Sequence, residues 1–224
     1  MKVVGINGSP RKDWNSGTAL DFALKGAGDA GAETKRFDLF DLSYSGCISC
    51  FSCKLLGGKS FARCAVQDDL TNVLEEILSS DAVIISAPIY YSDVPGAVRN
   101  LYERLLFPPN LYSAEGKTGY DRRIKVGLIY TMGAPDPSFN NNCAENDKNA
   151  FELFIGDTEI LNITDTYQFT DYSKYASSMF DPELKAARKR DVFPTECQKA
   201  YEMGQRLSKI TFFKNNKKSG PEGI

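Results

Sequence analysis

Five short runs along the chain read as strands: Lys2–Ile6 (KVVGI), Glu33–Leu39 (ETKRFDL), Ala82–Ala87 (AVIISA), Ile124–Thr131 (IKVGLIYT) and Glu159–Ile163 (EILNI). Where Val, Ile and Leu follow one another without alternation, as at 82–87, the pattern suits strands buried on both faces of a parallel sheet. Helical periodicity fills the gaps. Leu70, Val73, Leu74, Ile77 and Leu78 follow the i, i+3, i+4, i+7, i+8 template, and Asp68 and Asp69 precede them at the positive end of the helix dipole. Ala19, Leu20, Ala23, Leu24 and Ala27 form a similar stripe that stops at Gly31. Ala200, Met203, Leu207 and Ile210 form another, introduced by Pro194.

Strand and helix in alternation predict an α/β, doubly wound domain with helices on both faces. Five parallel strands favour the flavodoxin-like order 2-1-3-4-5, whose ligand crevice lies at the carboxyl ends of strands 1 and 3. At 224 residues, a single domain over 1–213 is the expectation. The polar tail 214–224 (KNNKKSGPEGI) is expected to be disordered. Two connections are too long to be mere links: Phe40–Gln67, rich in cysteine, and Asp165–Asp191, rich in Tyr, Ser and Asp.

Composition narrows the function by exclusion. A net charge of −2 carries no basic excess that would mark nucleic acid as a partner. No apolar run is long enough to span a bilayer. The N-terminus MKVVGINGSPRK reaches Gly and Pro before an apolar core could form, so it is not expected to be a signal peptide. A cytoplasmic protein is the expectation, with cysteines reduced or ligating rather than disulfide-bonded. Histidine is absent, which removes Ser-His-Asp and Cys-His nucleophilic machinery and every His-ligated metal.

After the first strand comes NGSPRKDWNSGTALDFAL, a turn rich in Gly, Ser and Asn that leads straight into a helix. Helix N-terminal N–H groups and the helix dipole favour an anion there. Ser9, Arg11, Asn15, Ser16, Gly17 and Thr18 are the candidate phosphate contacts. The loop lacks the G-x4-G-K-[ST] of a Walker A loop and the G-x-G-x-x-G of a dinucleotide fingerprint. One monophosphate, such as that of FMN, fits it better than ATP or tightly bound NAD. The plainer alternative is a helix-capping loop built of ordinary turn residues.

Gly46–Cys64 (GCISCFSCKLLGGKSFARC) holds four of the six cysteines, spaced C-x2-C-x2-C-x10-C. Zinc is disfavoured, because structural zinc sites use two separated pairs. C-x2-C-x2-C is a ferredoxin-like spacing that can wrap three corners of a [4Fe-4S] cube. Cys47, Cys50, Cys53 and Cys64 are therefore either cluster ligands or a loop of packed thiols. Cys143 and Cys197 stand alone and read as structural.

GSPRK…NS at Gly8–Ser16 resembles the phosphate loop of the NADPH-dependent FMN reductase family and its iron–sulfur flavoprotein relatives. APIYYSDVPGAVRNLYERL, Ala87–Leu105, resembles the family's second loop, with Pro88, Tyr90, Pro95, Gly96, Arg99 and Asn100 in register. The cysteine block followed by Asp68-Asp69 strengthens the likeness, which covers about residues 1–135.

The resemblance implies bound FMN, NAD(P)H as co-substrate and a small electron acceptor such as free flavin, a quinone or an azo compound. It implies no catalytic side chain, because the flavin carries the reactivity. Pro88, Ile89, Tyr90, Tyr91 and Ser92 would meet the isoalloxazine, the tyrosines as a stacking wall and the Ile89 and Ser92 amides as donors. Thr131, Met132 and Gly133 would form a third loop, although the run continues Ala134-Pro135-Asp136 instead of into further glycines. The last cysteine gap is longer than in the iron–sulfur flavoproteins, and no proline follows Cys64. An iron–sulfur electron carrier and a non-catalytic flavin-binding module therefore stay open as alternatives. Apolar residues in the cysteine loop and in Phe107–Tyr112 (FPPNLY), with the family's tendency to dimerise, predict at least a homodimer.

Overall fold

The computed structural model describes residues 1–114 and 118–209. The tail beyond 213 and Ile210, the end of the last apolar stripe, lie outside these. Five strands, β1 (Lys2–Asn7), β2 (Glu33–Asp38), β3 (Ala82–Pro88), β4 (Lys125–Thr131) and β5 (Thr158–Ile163), form one parallel sheet. Their order is β2-β1-β3-β4-β5, as expected from the alternation. Gly5 pairs with Arg36 on one side and Ile84 on the other, which sets the register of the sheet's centre. β2 is the edge strand next to β1, which explains its polar sequence: its first three residues are exposed.

Alternate residues of the central strands feed two apolar layers. Val4, Ile6, Val83, Ile85, Val126 and Leu128 face α2 (Leu70–Ser79), α3 (Gly96–Leu106) and α4 (Asn141–Phe154). Val3, Ile84 and Ile129 face α1 (Asn15–Asp29) and α6 (Phe193–Leu207). The α1–α6 contact is close because it is made of glycine. A Cβ on Gly26 would sit 2.0 Å from the Tyr201 carbonyl oxygen, and one on Gly204 would sit 1.8 Å from that of Ala23.

Three helices lie outside the stripes read from the sequence. α3 carries one (Val98, Leu101, Tyr102 and Leu105) but lies inside the second loop motif. α4 (NNCAENDKNAFELF) buries only Cys143, Ala144, Asp147 and Phe151. α5 (Pro182–Asp191) occupies the end of the long connection 165–191. It is specified locally: Asp181 accepts from the Glu183 and Leu184 N–H groups, Pro182 opens the first turn, and Arg188, Lys189 and Arg190 occupy the last. No helix among the described residues is long and apolar enough to cross a membrane.

Candidate functional site

The carboxyl ends of β1, β3 and β4 border a cleft of about 310 Å³, a volume typical of small-molecule sites. Its floor is the loop from β1 into α1. Asn7, fully buried, accepts the Ser9 N–H (3.1 Å) and donates to Asp38 (2.7 Å), which fixes the start of the turn. The Ser9 hydroxyl then takes the Arg11 N–H at 3.2 Å. α1 begins without a side-chain cap. Among the described residues nothing accepts from the N–H groups of Asn15, Ser16 and Gly17. Three such donors left open at a helix start are a site for an anion.

Gly17 is obligatory for a different reason from ligand contact. A Cβ there would lie 1.6 Å from the Lys12 carbonyl oxygen, so only glycine lets the loop fold back on the helix. Thr18 is not part of the cleft lining and spends its N–H on the Trp14 carbonyl (2.8 Å). Ser16 bridges loops: its hydroxyl meets Thr131 Oγ1 at 2.7 Å, and its carbonyl accepts the Ser86 hydroxyl at 2.8 Å. Ser9, Arg11, Asn15 and Ser16 all line the cleft.

The β3 exit supplies Pro88, Ile89, Tyr90 and Tyr91, and the β4 exit Thr131, Met132 and Gly133. One expectation is corrected here. The Ile89 N–H donates to the Thr131 carbonyl at 2.9 Å, extending the β3–β4 pairing, and so is not free for a ligand. Ser92 does not line the cleft, but it shapes the turn that does. Tyr90 and Asp93 exchange both backbone hydrogen bonds (2.7 and 3.0 Å) around Tyr91 (φ 51°) and Ser92 (φ 62°). Both central residues are left-handed, as in a type I′ turn, which normally uses Asn and Gly. For other residues this conformation costs roughly 1–2 kcal/mol each. Strain of this kind clusters at active sites and ligand clamps.

Residues that sequence reasoning missed come from the far side of the fold. Trp14, Thr166 and Gln168 complete the lining. The segment after β5 folds over the β1 loop: the Tyr167 carbonyl accepts from Trp14 Nε1 (3.0 Å) and Asn15 Nδ2 (2.8 Å), and the Gln168 carbonyl from Arg11 (2.6 Å). Trp14 was visible as an aromatic in a phosphate loop. Nothing in the sequence pointed from 167 back to 14. Arg11 is the one charged residue among those lining the cleft, and no carboxylate lines it. Open N–H donors, hydroxyls, one guanidinium and aromatic walls are a donor set that fits a flavin monophosphate.

The cysteine loop forms a second, smaller concavity about 20 Å³ in size, lined by Cys47, Cys50, Cys53 and Cys64 together with Phe51, Arg104 and Phe107. Burial pushes the Cys53 thiol up, whereas hydrogen bonds from the Ser52 N–H and hydroxyl pull the exposed Cys50 thiol down. Ser49 and Phe51, either side of Cys50, are left-handed (φ 53° and 54°). Lys54 ties the loop to the end of α3 through the carbonyls of Phe107, Pro108 (3.0 Å) and Asn110 (2.5 Å).

A buried ion pair clasps the loop's other end. Arg104, whose side chain is fully buried, meets Asp68 at 2.5 Å, the Val66 carbonyl at 2.9 Å and Cys64 Sγ at 3.3 Å. Asp68 also accepts the Leu70 N–H and so caps α2. Burial pushes the Asp68 carboxyl up, but Arg104 and the Ser45 and Leu70 amides outweigh it and hold the group below its usual range. A depressed carboxyl stabilises the fold above about pH 4 and loses that contribution as pH falls through the folded value. Asp68→Asn is therefore expected to lower stability by about 3 kcal/mol at pH 7, the scale for stranding a buried charge. In melts from pH 7 to 3, the gap between variant and wild type should narrow with acid; a constant gap would refute the linkage.

Sheet order and cleft together define a flavodoxin-like fold whose crevice presents open N–H donors at the start of α1. Residues 1–136 match the model of the NADPH-dependent FMN reductase family, and the chain belongs to that family. It is similar to an iron-sulfur flavoprotein of Methanocaldococcus jannaschii, 31% identical over 134 residues, 60% of this chain and 63% of that protein. An iron-sulfur flavoprotein of Archaeoglobus fulgidus is 33% identical over 128 residues, 57% of this chain and 56% of that one. The chain thus spans less than two thirds of the length of these relatives. Among solved structures, an NAD(P)H:quinone oxidoreductase from Methanothermobacter marburgensis superposes with a TM-score of 0.66 at 15% identity, covering 94% of this chain and 98% of that one. An FMN-dependent NADH-azoreductase from Bacillus anthracis, in complex with FMN, gives 0.64 at 14% identity, covering 93% and 99%. At those identities the likeness shows the fold.

Proposed function

We propose that the chain is an FMN-dependent oxidoreductase that passes electrons from NAD(P)H to a small acceptor such as a flavin, a quinone or an azo compound. The observation that carries this reading is the unspent helix N-terminus of α1, facing a cleft with no carboxylate. Bound FMN supplies the hydride chemistry. Ser9, Ser16 and the Asn15–Gly17 N–H groups hold the phosphate, with Arg11 adding charge. Tyr90 and Trp14 wall the ring, and the turn at 91–92 and Thr131–Gly133 border its polar edge. No side chain of the cleft has to exchange a proton with the substrate.

The test has two parts. Released cofactor should be FMN at one per chain, and steady NAD(P)H oxidation should follow addition of an acceptor. Finding FAD, or no flavin after reconstitution, overturns the cofactor assignment. FMN without turnover makes the chain a binding module instead.

A second reading, an iron–sulfur electron carrier, is supported by the gathering of all four loop cysteines around one concavity. Left-handed residues flanking a cysteine make the N–H concavities that suit cluster sulfurs, and the curated relatives are named as iron-sulfur flavoproteins. Against it, among the described residues no three Cys, Asp or Glu side chains come together as ligands of one metal ion. The concavity has room for about one water, so a cluster requires the loop to open. Cys50→Ser decides between them. A cluster protein prepared anaerobically should lose its iron and broad visible absorbance and keep its flavin. If the parent contains no iron, the thiols only pack the loop.

Ile48, Leu55 and Leu56 of this loop and Tyr112 after α3 are exposed apolar side chains, which supports a homodimer. Light scattering at micromolar concentration should give at least twice the 24.8 kDa chain mass; a monomer refutes it.

A further inference from the structure

The strained turn at the cleft lip is held by charges that neither the flavin reading nor the fold uses. The Asp93 carboxylate, which closes the turn, accepts the Val94 N–H at 2.7 Å and the Arg99 guanidinium at 2.9 Å through Nε. A second Arg99 nitrogen, Nη2, also reaches Asp93, so the pair is forked. Nη1 of the same guanidinium reaches Asp147 on α4 at 2.7 Å. Asp147 is 2% exposed, and its other oxygen accepts the Tyr130 hydroxyl at 2.8 Å. Tyr130 immediately precedes Thr131, where the third cleft loop begins. One buried carboxylate therefore joins the two loops that border the ring side of the cleft: through Arg99 to the β3 exit and through Tyr130 to the β4 exit.

The arrangement is costly unless it does something beyond filling space. Asp147 is a buried charge, tolerated because it is paired and hydrogen-bonded. It lies on a helix with few apolar positions, so packing alone does not require it. At the other end of the network, Tyr91 and Ser92 occupy a conformation that side chains resist. Among the described residues nothing accepts from their N–H groups. A planar fork gripping Asp93 on one side and a fixed carboxylate on the other is a geometry that arginine provides and lysine does not.

We propose that Arg99, anchored by Asp147, is a positioning residue that holds the Tyr90–Asp93 turn in its left-handed form, so that the turn's two free N–H groups are preorganised for the polar edge of the flavin ring. This rests on the FMN reading. It assigns α4, beyond the stretch matched to the family, a part in cofactor affinity. No atom of Arg99 or Asp147 is assigned a contact with the cofactor; they act through the turn.

The prediction is an interaction between strain and clamp. Asp93→Asn keeps the side-chain acceptor for Val94 and removes the charge that Arg99 grips. It is expected to raise the Kd of apoprotein for FMN about tenfold, read by flavin fluorescence quenching, and to raise that for riboflavin by the same factor, because the phosphate loop is untouched. Ser92→Gly, which keeps the backbone N–H, is the reference for the double variant. Since glycine adopts the left-handed form freely, Asp93→Asn/Ser92→Gly should return to within about threefold of wild type. Asp147→Asn should follow the same pattern with the same suppressor, and the better-exposed Asp93 site keeps the test usable if the buried variant does not fold.

A purely structural network would lower the melting temperature without a suppressible loss of flavin affinity. An unchanged Kd in Asp93→Asn overturns the proposal, as does a double variant no tighter than the single one. Failure of the wild-type chain to bind FMN overturns the underlying flavin assignment instead.

Discussion

Ser16→Asp is expected to abolish FMN binding at micromolar concentration while leaving the protein folded. Ser16 is 2% exposed in the first turn of α1, between the cradle and Thr131. A carboxylate there would stand against the phosphate. Two like charges about 4 Å apart near a protein surface repel by about 4 kcal/mol, close to three orders of magnitude in Kd. An acidic residue in a first helical turn favours the helix by several tenths of a kcal/mol, which partly offsets the crowding beside Thr131. The loss should therefore appear in binding far more than in folding. Riboflavin, which lacks the phosphate, should lose much less affinity than FMN. Equal losses of both would show that the substitution had damaged the ring site or the fold, and that Ser16 does not face a phosphate.

Gly204→Ala is the single methyl expected to do most harm to the fold. Its Cβ would lie 1.8 Å from the Ala23 carbonyl oxygen and 3.0 Å from the Ala27 nitrogen, both backbone atoms of α1. No rotamer change relieves a clash with backbone, so α6 must move away from α1 and open the layer that buries Leu20, Met203 and Leu207. Overpacking costs typically about 1–3 kcal/mol, and a backbone clash belongs at the upper end. For a chain of this size about 3 kcal/mol lowers Tm by roughly 6–12 °C. Because α1 carries the proposed phosphate cradle at its other end, FMN affinity should fall as well. A Tm within 2 °C of wild type would show that the two helices separate at almost no cost.

Ser16 was legible in the sequence as part of the β1 loop; the close approach at Gly204 was not. The strand runs, the α1 and α2 stripes and the order of the sheet follow from local pattern, because buried parallel strands and amphipathic helices write their burial directly into hydrophobic periodicity. The β1 loop, the β3 exit and the β4 exit were legible as one crevice, since the topology brings those strand ends to one edge. Most of the residues expected at the cleft do line it: Ser9, Arg11, Asn15, Ser16, Pro88, Ile89, Tyr90, Tyr91, Thr131, Met132 and Gly133.

Other features depend on where distant segments come to rest. Gly17 reads in the sequence as a phosphate contact through its N–H; only the fold shows that the Lys12 carbonyl also excludes any side chain there. The Ile89 N–H looked available until the sheet register paired it with Thr131. Nothing near Trp14 in the sequence says that Tyr167 and Gln168 will cover it. α5 shows no core-facing stripe, because capping and ion pairs rather than apolar burial hold it. Asp147 reads as one more acid on a polar helix, and only the packing of α4 beneath Arg99 and Tyr130 turns it into the link between two cleft loops. Hydrophobic periodicity records which face of an element is buried. It does not record which partner is met there, so contacts made by polar groups and by glycine across long separations were decided by the tertiary structure alone.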